Sequence, residues 1–200
     1  DIQEILALSA RADILVGGSF QTNGAAGWNG GGMTFSDRYG FGLADAHAAV
    51  RLAESWDLQR SFGIMDVLSA SNLSGSVIAD NTTFTQTVTI TQAIDIDHVT
   101  LFLDASHSWS GDLTITLESP DGSVSTLMER PLRVNDSGYG TSIDLQPFTF
   151  SSVEFWGEQG LGDWTLSITD SESFDTGQLT GWTLSLLGDL AAEDDRHIFT

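Results

Sequence analysis

Carboxylates are the residues of this chain with the clearest capacity for chemistry. Asp170, Glu172 and Asp175 fall in one short stretch, and Asp112 and Asp121 flank the alternating run 113–117. Calcium takes six to eight oxygens that converge from several segments. Asp170 and Asp175, with Asp112 or Asp121 as further ligands, are therefore the candidate calcium-binding residues. Their spacing matches no EF-hand loop, and the same acids also read as a solvated acidic turn. Histidine offers less. His47 sits at helical spacing beside Asp45, His98 follows Asp95 and Asp97, His107 lies in a polar run, and His197 is near the end. A serine hydrolase needs a base within reach of its nucleophile and an acid that orients the base. No histidine here has that partner set in the sequence, so no catalytic residue is assigned. Gly31 and Gly32 lack the lysine and the strand-to-helix switch of a phosphate loop.

Charge narrows the choice of partners. Acidic residues number 28 against 7 basic ones, all arginine, for a formal net charge of -21. That field disfavours nucleic acid and anionic membrane as partners. No apolar run is long enough to span a bilayer, and no signal-peptide pattern opens the chain. The first residues, Asp1 to Ile5, read as the middle of an amphipathic segment, so a piece of a longer protein is expected. Cysteine is absent, which removes disulfides from consideration. A hydrophobic fraction of 40% with 21 Gly and 3 Pro is globular in character.

Two kinds of element must position these groups. Residues 1–60 read as helix, Gly-rich loop, helix. Ile2, Ile5, Leu6 and Leu8 form one helical stripe; Leu43, Ala46, Val50 and Ala53 form another, with Asp45 in its first turn. This stretch has too little apolar area to fold alone. Beyond Trp56 the period changes from 3.6 to 2. Phe84, Val88 and Ile90, then Val99, Leu101 and Leu103, then Leu113, Ile115 and Leu117 alternate with polar residues. Ser119-Pro120-Asp121-Gly122 reads as a tight turn. Further strands are expected near 123–128, 148–155, 164–169 and 182–187. Seven or more short strands suggest a two-sheet sandwich at 63–188, with a linker at 189–200.

Several strings are also specific to a family. Phe155-Trp156-Gly157-Glu158, Gly162-Asp163-Trp164-Thr165-Leu166-Ser167-Ile168 and Gly181-Trp182-Thr183-Leu184 resemble the end of the P domain of subtilisin/kexin-like proprotein convertases. His107-Ser108-Trp109-Ser110-Gly111-Asp112 with Ser119-Pro120-Asp121-Gly122 resembles that domain's central motif. Tyr39-Gly40-Phe41-Gly42-Leu43-Ala44-Asp45-Ala46 resembles the last segment of a kexin-type subtilase domain, and residues 1–10 its late helix. The resemblance implies a mostly β protein: a jelly-roll-like β-sandwich P domain at 63–188, preceded at 1–60 by a helical remnant of an α/β subtilase domain. In that family the catalytic Asp, His and Ser precede the segment that Asp1 resembles.

The implied function is the C-terminal part of a calcium-dependent serine endopeptidase, secreted or extracellular and bacterial. Its P domain would stabilise and regulate an upstream catalytic domain that acts on protein or peptide substrates. His107 is read as a structural hydrogen-bonder, and Trp156, Trp164 and Trp182 as packing residues. Glu158 carries a second reading, a contact to the protease domain. The rival function is a non-catalytic module that binds carbohydrate or protein through exposed aromatics such as Trp109 and Phe174.

Overall fold

The computed structural model describes residues 2–12, 17, 19–25, 32–56, 63, 65–131 and 140–190. Of the linker expected at 189–200, Asp189 instead closes the last strand and residues 191–200 lie outside the described residues, as do residues 57–62 at the expected boundary. The N-terminal segment contains helix α1 (Ile2–Leu8), the short paired strands β1 (Gln21–Thr22) and β2 (Thr34–Phe35), and helix α2 (Ala46–Ala53). Asp45 lies just before α2 rather than in its first turn. It caps the helix by accepting from the Ala48 N–H at 3.0 Å. The cap bond holds its carboxyl below the usual carboxylate range.

The rest is built from β3 (Asp66–Asn72), β4 (Ser76–Ile78), β5 (Thr83–Ile90), β6 (Asp95–His107), β7 (Leu113–Glu118), β8 (Val124–Glu129), β9 (Phe148–Ser152), β10 (Gly162–Asp170) and β11 (Gly177–Asp189). One sheet has the order β5-β10-β7-β8, the other β3-β11-β6-β9, with β4 also on β11. Every pairing is antiparallel. Leaving aside β4, the eight strands from β3 run 1-8-3-6 in one sheet and 2-7-4-5 in the other. That is the jelly-roll order, two Greek keys wound around one core.

Alternation explains why the sheets close on each other. In β10, Trp164, Leu166 and Ile168 are buried while Thr165, Ser167 and Thr169 are half-buried on the outer face. In β11, Trp182, Leu184 and Leu186 do the same. Leu113, Ile115 and Leu117 from β7 and Val99, Leu101 and Leu103 from β6 complete the facing layers. Buried indole N–H groups need acceptors. Trp164 donates to the Gly160 carbonyl and Trp182 to Gln86 Oε1, each at 3.0 Å.

The helical stripes behave differently from the sequence reading. Leu43 lies before α2, in an antiparallel bridge with Arg11, and is exposed; on α2 itself Ala49 is the buried residue and Val50 is exposed. On α1, Glu4 is buried and Ile2 is 77% exposed. Leu6 and Ala7 of α1 line a groove with Phe41 and with Val153 and Trp156 of the sandwich.

Candidate functional site

The sandwich gathers its buried acids at two places, at opposite ends of β7. The first lies where β6 ends, β10 ends and β7 begins. Asp170 continues the inward parity of Trp164, Leu166 and Ile168, so its carboxylate points into the fold. His107 Nε2 lies 3.6 Å from Asp170 Oδ2, and both side chains are fully buried. Asp112 sits in the 3₁₀ turn Ser110–Asp112 and is buried beside them. Burial, then the charges of Asp170, Asp175 and Glu172, raise its carboxyl above the ordinary range, with His107 acting in the other direction.

Several oxygens of this cluster already accept hydrogen bonds, while Asp112 Oδ1 is buried without a partner among the described residues. Asp170 already accepts from the Glu172 N–H at 3.2 Å and the Asn81 N–H at 3.3 Å. Asp175 accepts from the Ser108 hydroxyl at 2.6 Å. Glu172 pairs with Arg130 at 3.2 Å. Among the described residues, no three His, Asp or Glu side chains form a metal-holding group. Of the four candidate ligands, Asp112, Asp170 and Asp175 come together, whereas Asp121 lies beyond the other end of β7.

The exposed aromatics flank the same cluster. Phe174 is 96% exposed, held in a left-handed conformation with its N–H on Asp80 Oδ1 at 2.9 Å. Trp109 is tied down through its indole to the Gly140 carbonyl at 3.0 Å. His98 is half-buried, and desolvation lowers its pKa.

The second place is the seam between the N-terminal segment and the sandwich. Asn23 is its central tie. Its amide nitrogen donates to the carbonyls of Glu154 at 2.8 Å and Trp156 at 2.9 Å, and its oxygen accepts from the Met33 N–H at 2.8 Å. Next to it, the Gly24 N–H donates to Glu158 Oε1 at 2.8 Å, an oxygen that also accepts from the Ser123 hydroxyl. A Cβ on Gly24 would collide with Asp121, so the approach needs glycine. Phe41 packs edge-on against Trp156 at 5.9 Å, and the Trp156 indole donates to Asp97 at 3.1 Å.

Glu154 is buried, and its Oε2, like Glu158 Oε2, has no hydrogen-bond partner among the described residues. Burial, opposed by a hydrogen bond with Ser125 and reinforced by Asp37 and Glu158, raises its pKa to about 7. The sequence reading anticipated Glu158 as a contact residue. It missed Asn23, Ser123 and Glu154, although Glu154 directly precedes the Phe-Trp-Gly-Glu string.

Residues 96–186 match the family model described as the proprotein convertase P-domain. This chain carries a subtilisin/kexin-like P domain. Kexin of Saccharomyces cerevisiae is 31% identical over 169 residues, covering 79% of this chain and 20% of that protein. Human proprotein convertase subtilisin/kexin type 6 is 30% identical over 220 residues, covering 100% of this chain and 20% of that protein. The chain thus spans about a fifth of the length of these curated relatives. The serine protease of Aeromonas sobria, in the crystal structure of its complex with a chaperone, superposes with a TM-score of 0.74 at 25% identity. That match covers 95% of this chain and 40% of the other. The P-domain match begins inside β6, whereas the sandwich already begins at β3. Among the described residues, no helix is long and apolar enough to cross a membrane.

Proposed function

We propose that this chain is the C-terminal part of a secreted, kexin-like serine endopeptidase. Its P domain holds the end of a subtilase domain and stabilises the catalytic part upstream. The observation that carries this reading is the extent of the likeness to the Aeromonas sobria serine protease. At 95% of the chain it takes in the N-terminal segment together with the sandwich. The outward apolar residues Ile2, Leu6, Leu43 and Val50 support it, because a subtilase domain resting on this segment would cover them.

The test compares the parent protease with and without the sandwich, residues 66–189. Removing it is expected to lower the thermal midpoint and abolish cleavage of a peptide with paired basic residues. Undiminished midpoint and turnover would overturn the proposal.

A further inference from the structure

The end of the sandwich where β6 and β10 finish presents two aromatic side chains to water. Phe174 is 96% exposed and Trp109 40%. Each is fixed through its own polar group: the Phe174 N–H on Asp80 Oδ1, the Trp109 indole N–H on the Gly140 carbonyl. Ser108 and Asp175 draw the two loops together. The Ser108 hydroxyl donates to Asp175 Oδ1 at 2.6 Å and accepts from the Thr176 N–H at 3.0 Å. Trp109 and Phe174 therefore stand one residue beyond either side of a single hydrogen-bonded pair. Apolar area already held in place is available to a partner with little further ordering cost.

A cleft of about 330 Å³ opens beside Trp109, and the residues flanking it, His107 and Ser110, both line that cleft. Ser142, Asp144 and Gln146 form part of the opposite wall. Asp144 is exposed and accepts from the Gln146 N–H at 3.0 Å through Oδ1. A carboxylate has about four acceptor positions, so most of its capacity remains for a ligand. Charge decides which ligand fits. Asp80, Asp144, Glu172 and Asp175 rim this end, and Asp170 lies beneath it. Facing them are Arg130, paired with Glu172 at 3.2 Å, and His107, 3.6 Å from Asp170. Arg130 is the one arginine among the described residues of the sandwich, and the chain contains no lysine.

We infer that this end of the sandwich binds a cationic peptide: Asp144 pairs with a basic side chain in the cleft, and Trp109 and Phe174 pack on the neighbouring residues. A concave surface lined by one sign of charge concentrates ligands of the other. A cation over an aromatic face gains further attraction. An arginine side chain uses both, since its planar fork matches a carboxylate and its face stacks on a ring. The site belongs to this chain's own surface and does not depend on the protease reading.

An NMR titration of the nitrogen-labelled 200-residue chain with a capped Gly-Arg-Arg-Gly peptide tests it. The salt concentration is about 0.15 M, where long-range attraction to the acidic surface is largely screened. The Trp109 indole N–H and the amides of Asp144 and Phe174 should shift and saturate, while those of Leu166 and Leu184 in the core stay in place. Asp144→Asn keeps an acceptor for Gln146 and removes the charge. It should weaken binding about 3–5-fold, the reach of a well-placed exposed ion pair. Trp109→Leu keeps apolar bulk without the aromatic face and should weaken it by about 2–5-fold. Shifts that spread over the acidic surface without saturating, or an Asp144→Asn variant that binds as the wild type does, overturn the site. A saturable response to cellohexaose with none to the peptide also overturns it and makes this end a carbohydrate site.

Discussion

Single carboxylates in this chain take their character from the side of the strand on which they fall. Asp170 reads as a turn acid in the sequence because polar residues follow it. In the structure it is the last inward residue of β10, and it meets His107 inside the fold. Burial could not be read from composition, since parity counts only once the strand's end is known. Asp112 shows the consequence. Its folded pKa is raised by burial and by Asp170, Asp175 and Glu172. The stability linked to it is complete below the unfolded pKa and declines as pH rises through the folded one. Asp112→Asn keeps the shape and removes the charge. Its thermal midpoint should exceed the wild type's at pH 7, and the gap should close towards pH 4. A variant less stable at pH 7 would show that the carboxylate makes a net favourable contact there.

Among elements, long alternating strands were legible and short or exposed ones were not. β5, β6, β7, β10 and β11 each bury one parity, and that pattern is written in the sequence. β3 is an edge strand with no fully buried residue, so its pattern is faint. β1 and β2 have two residues each, below any period. The seam escaped the sequence reading for a related reason: Asn23 bonds to residues more than 130 positions away.

Two substitutions separate these cases. Trp164 is fully buried and packs edge-on against Phe155 at 5.0 Å. Trp164→Ala is expected to cost about 3–5 kcal/mol of global stability in denaturant unfolding. An unchanged midpoint and slope would contradict the packing. Asn23→Ala removes that side chain's ties to Glu154, Trp156 and Met33 but touches none of the sandwich's core. It should cost about 2–3 kcal/mol of docking stability, since several bonds worth about 1 kcal/mol each are lost. Exchange protection of Met33 reports it, while the sandwich amides stay as they were. A global loss of protection would mean that the segment and the sandwich unfold together.

At the scale of the whole molecule, a formal net charge of -21 makes any cation stabilising by screening alone. Asp170 and Asp175 already accept hydrogen bonds, so calcium and magnesium at equal ionic strength should raise the thermal midpoint alike. A larger rise with calcium, reduced by Asp175→Asn, would show a specific site. The division of apolar burial gives the last prediction. Among the described residues, the buried hydrophobic core runs from Ile78 onward and includes none of the N-terminal segment. That segment buries only Ala25, Met33 and Ala49 among its described apolar residues, and it turns Ile2, Leu6, Leu43 and Val50 outward. Among the described residues it is held by a polar seam and the Phe41–Trp156 contact, so it should open at a lower free energy than the sandwich, whose core is self-sufficient. Brief digestion with a protease that cuts at apolar residues should remove the N-terminal segment first. A resistant fragment beginning close to Asp66 should remain, with the spectroscopic signature of a β-sandwich. Digestion of both parts at one rate would show that the segment belongs to the same cooperative unit, and that the seam contributes as much to stability as the core.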